Sequence, residues 1–346
     1  MKRIQSVLAA FVGACCIATL LCTAPAAAAP DVVNVALNPD TVDNLPLFIA
    51  SDRGYFAQQN LDVRITKIPG SSLTQLPSLA RGSIDIAPMV LGPAFFNQYT
   101  AGFDVKLVAS LSGSHTGWND GSWVMVRQDL WDSGKIRKLS DLKGRTIDGY
   151  VPGAPPNMLI RQTLAKAGLT TSDVVFSERM KSAADALSSY MNKAVEITPA
   201  FEPMVTQLDK QHIAHKWLST HDIIPDYQGT FLAASAAFVK THRDVVQRFL
   251  TAYLRASHDI DRGGGKWTPM LLAEVAKWTE QPEATVAQIA GPAYAGDFGS
   301  INQASVVRQQ AFWVSQGLVK EPVAVPAIID STILDDAKRT LRTEKF

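Results

Sequence analysis

The chain has 346 residues, 47% of them hydrophobic, with 33 Lys and Arg against 32 Asp and Glu. That length is enough for a large buried core, and the even charge excludes a basic protein built for nucleic acid or anionic lipid. The only three cysteines, Cys15, Cys16 and Cys22, crowd near the amino terminus.

Lys2 and Arg3 precede an apolar run from Ile4 to Cys22 and then Ala24-Pro25-Ala26-Ala27-Ala28-Ala29. A charged start, an apolar stretch and an A-x-A site describe a secretory signal peptide, with cleavage expected after Ala28. Val12-Gly13-Ala14-Cys15 loosely fits a lipidation box, but the apolar run continues well past Cys15 and Leu21 before Cys22 fits poorly. Removing residues 1–28 takes away every cysteine. The mature chain is therefore expected to have no disulfide, no thiolate nucleophile and no Cys metal ligand. It keeps 31 basic and 32 acidic residues, a net charge of −1 with His neutral. No later apolar run is long enough to span a bilayer.

Val32 to Leu37 reads as a first strand and Asn38 to Asn44 as the polar loop after it. Leu45 to Ala50 opens a helix that closes at Gly54-Tyr55-Phe56, and Asn60 marks a turn that favours positive φ. Val63, Ile65 and Ile68 form a β-prone run ended by Pro69-Gly70. Ser71 and Ser72 are candidate N-caps, and Leu73, Leu76, Leu79 and Ala80 recur at helical spacing up to Gly82. Pro77 inside that helix is expected to kink it. Ile84, Ile86 and Ala87 resume a buried strand, which ends at Leu91-Gly92-Pro93. A helix entrance and a Gly loop after a strand then share one sheet edge, a place where small ligands dock.

Val105 to Ser110 is a further strand, followed by the polar, Gly-rich Ser112 to Ser122 and a strand at Trp123 to Val126. Leu139 to Ile147 enters another α/β unit, whose first strand leads into the loop Asp148 to Pro156 and a helix from Asn157 to Ala167. Ser182 to Leu187 opens another helix, and Glu196 to Pro203 follows. Thr230 to Phe238 reads as a returning strand, and beyond Thr241 the chain is helical. Thr241-x-x-Asp244 resembles a capping box. Thr268-Pro269 and Pro282 are further helix entries, and Val306 to Trp313 is another helix.

These motifs, in this order, resemble the nitrate/sulfonate/taurine-type solute-binding proteins of ABC importers, a superfamily that also takes in binders of thiamine-precursor pyrimidines. The resemblance rests on P-G-S-S followed by L-A-R-G-S-I-D-I-A (Pro69 to Ala87), on P-L-x-x-A-x-x-x-G-x-F (Pro46 to Phe56) and on S-D-L-K-G-R-T-I (Ser140 to Ile147). Glu196 to Pro203, with Phe201 where the family usually has Trp, and the segment around Asp330 and Leu334 extend it over nearly all of the mature chain. It implies an α/β fold of the periplasmic binding protein type II, two α/β lobes with a hinge and a ligand cleft between them. The expected division is 1–28 signal peptide, 29–115 first lobe, 116–229 second lobe and 230–346 the first lobe again.

Expected ligand contacts come from loops at strand ends in both lobes. Ser71 and Ser72 offer hydroxyls and helix-end amides, and Gly92 the loop after a strand. Gly153, Ala154 and Asn157 form the matching entrance in the second lobe, although Pro152, Pro155 and Pro156 remove amide donors there. Trp118 and Asn119 supply an aromatic face and an amide among Gly and Asp. Asp40, Asn44 and Glu202 stand at positions resembling cleft rims, with Glu202 either binding a donor or tying its own loop. Acidic groups weigh against a bare inorganic anion such as nitrate.

His212 and His215 have an i, i+3 spacing that would share a helix face, but Lys210, Gln211 and Lys216 make a solvated helix end the better reading. His115 lies in the hinge-like loop, within reach of a ligand. No nucleophile elbow, Walker loop, H-E-x-x-H string or dinucleotide fingerprint is present, and Gly263-Gly264-Gly265 is a linker. The expectation is a periplasmic, monomeric, non-enzymatic protein without cofactor or metal, with no nucleic-acid partner. It captures a small organic ligand (a sulfonate, a taurine-like molecule or an aromatic carboxylate) and delivers it to the membrane permease of an ABC importer. A pyrimidine-precursor binding or biosynthesis protein on the same fold, and a ligand-sensing input protein, are the alternatives.

Overall fold

A computed structural model describes residues 28–39, 42–69, 71–115, 118, 120–292 and 299–343. The cysteines and the leader-like run therefore lie outside the described residues, as do Asp40 and Asn119. Among the described residues ten strands form: β1 Asp31–Leu37, β2 Leu61–Lys67, β3 Ile86–Val90, β4 Val105–Gly113, β5 Ser122–Arg127, β6 Thr146–Asp148, β7 Val175–Ser177, β8 Ile197–Phe201, β9 Ala214–Ser219 and β10 Gln228–Ser235. They assemble into two five-stranded sheets, in the orders β2-β1-β3-β10-β4 and β7-β6-β8-β5-β9.

Each sheet has one strand running against its neighbours. In the first it is β10, antiparallel to β3 and β4, and in the second β5, antiparallel to β8 and β9. Both are strands that the chain enters directly after crossing from the other sheet. Because β5 is reversed, Ser122 at its start pairs with Phe201 at the end of β8, and Thr230 near the start of β10 pairs with Val90 at the end of β3. The two crossings, residues 114–121 and 220–227, thus join the carboxyl edge of one sheet to the carboxyl edge of the other. Segments this short bring the two edges face to face, and ligands in open α/β sheets sit outside the carboxyl ends of the strands.

Both faces of each sheet are covered, the layering that βα units impose. Side chains alternate along a strand, so Leu232 and Ala234 of β10 enter one core cluster while Phe231 and Ala233 enter the other. In the second sheet Val124 and Val126 of β5 face one cluster and Met125 the opposite one. The 19-residue helix Arg243–Asp261 lies over one face of the first sheet, where Phe249 stacks on Phe56 at 4.8 Å. In the second, the buried Tyr190 hydroxyl donates to the Met125 carbonyl at 2.8 Å and accepts from the Thr198 amide at 3.0 Å, tying β5 to β8.

Local readings are corrected in four places. Pro77 does not kink a helix: Ser72–Gln75 is a 3₁₀ turn and the α-helix begins at Leu76, so the proline sits in its first turn, where no amide bond is lost. The returning strand starts at Gln228 and ends at Ser235, and Phe238 lies in the helix Ala236–Thr241. Thr241 is no cap, since its hydroxyl donates back to the Ala237 carbonyl and His242 precedes the next helix. His212 occupies a turn with φ 53° and His215 lies in β9, stacked on Trp131 at 4.1 Å, so the two do not share a helix face.

Candidate functional site

Where the carboxyl edges meet, the two halves touch through backbone. Gly92 caps the helix Pro93–Thr100 after β3, and Gly153 sits in the turn before the helix Pro155–Lys166 after β6. A β-carbon on Gly92 would stand 2.8 Å from the Gly153 carbonyl oxygen and 3.4 Å from the Leu73 side chain. Gly153 itself has φ +90°, a conformation L side chains rarely adopt, and a β-carbon on it would stand 3.2 Å from the Pro93 ring. Met158, one turn into the second-sheet helix, is 2% exposed and belongs to the core cluster of Leu91, Phe95 and Trp313. Farther out, Arg161 Nη1 donates to Gln316 Oε1 at 3.1 Å.

The serines that the sequence marks do different jobs. Ser71 Oγ caps its own turn by accepting from the Leu73 amide at 3.4 Å. Ser72 Oγ reaches across to accept from the Val90 amide at 3.2 Å, so it closes the end of β3. Both stand on the same edge as Gly92.

A carboxylate lies behind them. Asp43 Oδ2 accepts from Ser112 Oγ at 2.9 Å and from Thr230 Oγ1 at 3.1 Å, joining the last turn of β4 to the first of β10. Protein atoms surround the carboxylate even though the residue keeps some surface, and this burial raises its pKa while the two hydroxyl bonds pull it down. A β-carbon on Gly121, at the end of the first crossing, would be 4.0 Å from Asp43 Oδ1. The Gly121 carbonyl in turn accepts from the Glu202 amide at 2.9 Å. Glu202 is buried and its carboxylate accepts from the Thr206 amide at 3.0 Å and the Thr206 hydroxyl at 2.9 Å, so it ties the loop into the following helix. Burial raises its pKa too, against those two bonds. The Tyr227 phenol is pushed up by burial and by the nearby Asp43 charge.

Of the other sequence candidates, Asn44 is buried and its Nδ2 donates to the Asn38 carbonyl at 2.7 Å. Asn157 spends its amide inside the second half: Nδ2 donates to the Tyr150 carbonyl and to Glu178 Oε1, and Oδ1 accepts from Arg161. Ala154 is the residue preceding the helix, packed on the cluster around Met125. Trp118 packs partly buried against the first-sheet core. Asp40 and Asn119 lie outside the described residues. Sequence reading passed over Asp43, although it lies in the same polar loop as Asn44, and over Gln75, three residues after Ser72. It also passed over the aromatic pair Tyr150 and Phe201, whose rings are 6.2 Å apart at the ends of β6 and β8, with Phe201 38% exposed. Among the described residues there is no group of three or more His, Cys, Asp or Glu suited to a metal ion, and no helix long and apolar enough to cross a membrane.

Two mixed sheets facing each other across two crossings define the fold of the type II periplasmic binding proteins. The periplasmic aliphatic sulphonate binding protein SsuA of Escherichia coli superposes with a TM-score of 0.70, at 17% identity over 87% of this chain and 92% of that one. The nitrate-binding protein NrtA of Synechocystis PCC 6803 gives 0.71 at 16% identity, over 91% and 90% of the two chains. The fold also carries an enzyme, the desulfurization enzyme DSZB, with a TM-score of 0.62 at 16% identity over 90% of this chain and 99% of that one. In sequence, the Bacillus subtilis (strain 168) protein named "Putative binding protein YtlA" is 24% identical over 242 residues, 68% of this chain and 67% of its own. The NMT1/THI5-like family model matches residues 41–260, and the chain belongs to that family.

Proposed function

We propose that the protein is an exported solute-binding protein: it takes up one small organic molecule between its two halves and hands it to the permease of an ABC importer. The observation that carries this is the closed approach of Gly92 and Gly153, one from each carboxyl edge, beside buried polar groups of both halves. Two crossings let such edges part and meet, and a ligand held between them is removed from water on both sides. The likeness in fold to SsuA and NrtA and the sequence match to YtlA support the same reading. We assign residues 29–115 and 230–346 to one lobe and 116–229 to the other, a leader ending at Ala28, and a monomer in the periplasm.

Within this reading Ser71, Ser72, Gly92, Gly153 and Ala154 line the closing edge, and Trp118 and Phe201 offer aromatic faces. Glu202 and Asp43 make the surroundings acidic, which weighs against a naked oxyanion and favours an organic ligand. The alternative is a pyrimidine-precursor binding or biosynthesis protein on the same fold, a fold that DSZB shows can carry an enzyme. Titration of purified residues 29–346 with a library of sulfonates, amino sulfonates, aromatic carboxylates and pyrimidines, followed by calorimetry and small-angle scattering, tests the proposal. One-to-one binding of a library member with no chemical change in it supports the reading. Turnover of a bound compound would replace it with an enzyme.

A further inference from the structure

We infer that Gln75 is a specificity-determining residue that reads an amide-like edge of the ligand, a hydrogen-bond donor beside an acceptor; this rests on the solute-binding reading above. Gln75 is 3% exposed, and among the described residues neither its Oε1 nor its Nε2 has a hydrogen-bond partner. A carboxamide with both ends unmet inside a protein is rare, because burying either end without a partner is costly. Its position says what the amide is for. Residues i and i+3 of a 3₁₀ turn eclipse one another, so in the turn Ser72–Gln75 the glutamine shares a face with Ser72. Ser72 Oγ is bonded to Val90 at the carboxyl end of β3, so that face is turned to the strand end where the two halves close. Leu73, between them, is the side chain in contact range of Gly92.

A second unmet group stands at the end of the neighbouring strand. Asn44 is 0% exposed and its Oδ1 has no partner among the described residues, while its Nδ2 is held by the Asn38 carbonyl. β1 and β3 pair in parallel, so the loops after them lie side by side on one edge. A carboxamide offering a donor and an acceptor, beside a lone acceptor, is matched by a neutral group with one acceptor next to two N–H donors, such as a primary carboxamide. A carboxylate or sulfonate has only acceptors and leaves both Gln75 Oε1 and Asn44 Oδ1 unmet.

The test uses nicotinamide and nicotinate, which share size and ring and differ in carboxamide against carboxylate, with the wild type and Gln75→Met. Wild type binding nicotinamide more tightly than nicotinate, with a loss of about tenfold in Gln75→Met, supports the inference. Equal affinities of wild type and variant for either compound overturn it. Thermal midpoints without ligand give an independent reading: an unmet amide replaced by a thioether of similar volume raises the midpoint, while a fall means that the amide is satisfied within the protein and the inference is wrong. A wild type that binds neither probe nor any member of the wider solute library overturns the solute-binding reading and this inference together. A library ligand bound equally by Gln75→Met overturns this inference alone.

Discussion

Gly92 and Gly153 meet across the cleft so closely that one methyl group does not fit between them: a Gly92 β-carbon would be 2.8 Å from the Gly153 carbonyl oxygen. Gly92 has φ −125° and ψ 177°, an extended backbone open to any residue. Gly92→Ala therefore adds no local strain. Its clash exists only while the halves are together, and the contacted atom is backbone, which does not rotate away.

Gly92→Ala should accordingly keep the wild-type thermal midpoint within about 1–2 °C while shifting the molecule towards an open form. Small-angle scattering should show a larger radius of gyration than wild type, and affinity for any captured solute should fall by about tenfold or more. An unchanged radius of gyration would mean that the contact has no part in closure.

Gln316 joins the two sheets' helices at a distance from Gly92. Ser305, near the start of the helix Gln303–Ser315, accepts from the amide of Gln228, the first residue of β10, at 3.0 Å. Gln316 caps the other end, eleven residues on and about 16 Å away at 1.5 Å per residue. There it accepts from Arg161, which is also held by Asn157 and Glu178. Gln316→Ala removes one exposed bond worth about 0.5 kcal/mol, so solute dissociation should quicken about twofold with little loss of stability. Stopped-flow release kinetics measures this, and an unchanged rate would remove Gln316 from the closing contacts.

Asp43→Asn tests the carboxylate behind the edge. The folded pKa of Asp43 is raised by burial, so between its unfolded value of about 4 and the raised folded value the native state holds more protons than the unfolded state. Stability then falls as pH rises through that window, and the penalty is complete above it. Asparagine has no such penalty and retains an acceptor for the Ser112 and Thr230 hydroxyls. Relative to wild type, Asp43→Asn should gain thermal stability at pH 7 compared with pH 4. A difference that does not change between the two pH values would show that Asp43 titrates normally.

Tyr190→Phe should lower stability by about 1–3 kcal/mol, because it leaves the buried Thr198 amide without its acceptor. Urea unfolding of wild type and variant provides the comparison. Loss of solute affinity at unchanged stability would contradict the purely structural role.

Much of this architecture was legible in the chain. The first strand over Val32 to Leu37, the Gly82 stop and the helix opening at Ser182 each report a local conformation that the residues themselves dictate. Asn60 adopts φ 55°, as an asparagine replacing glycine at a turn should. The serine turn and the two glycines at the meeting edge were readable for the same reason. Residues whose role depends on a distant partner were not. Asp43 is one acid in a polar loop until β4 and β10 bring Ser112 and Thr230 to it, from 69 and 187 positions away. Asn157 has the look of a ligand residue at a helix entrance, yet Glu178 and Arg161 occupy its amide. Gln75 is an ordinary polar residue in sequence, and only its burial without a partner among the described residues singles it out.

Native mass spectrometry of residues 29–346, exported and purified without denaturant and then offered the solute library, weighs capture against catalysis in one spectrum. Capture between the halves gives one unmodified small organic molecule per chain, retained by the wild type and lost from Gly92→Phe, whose ring holds the edges apart. A molecule retained equally by Gly92→Phe, or one released as a different chemical species, would contradict capture at this edge.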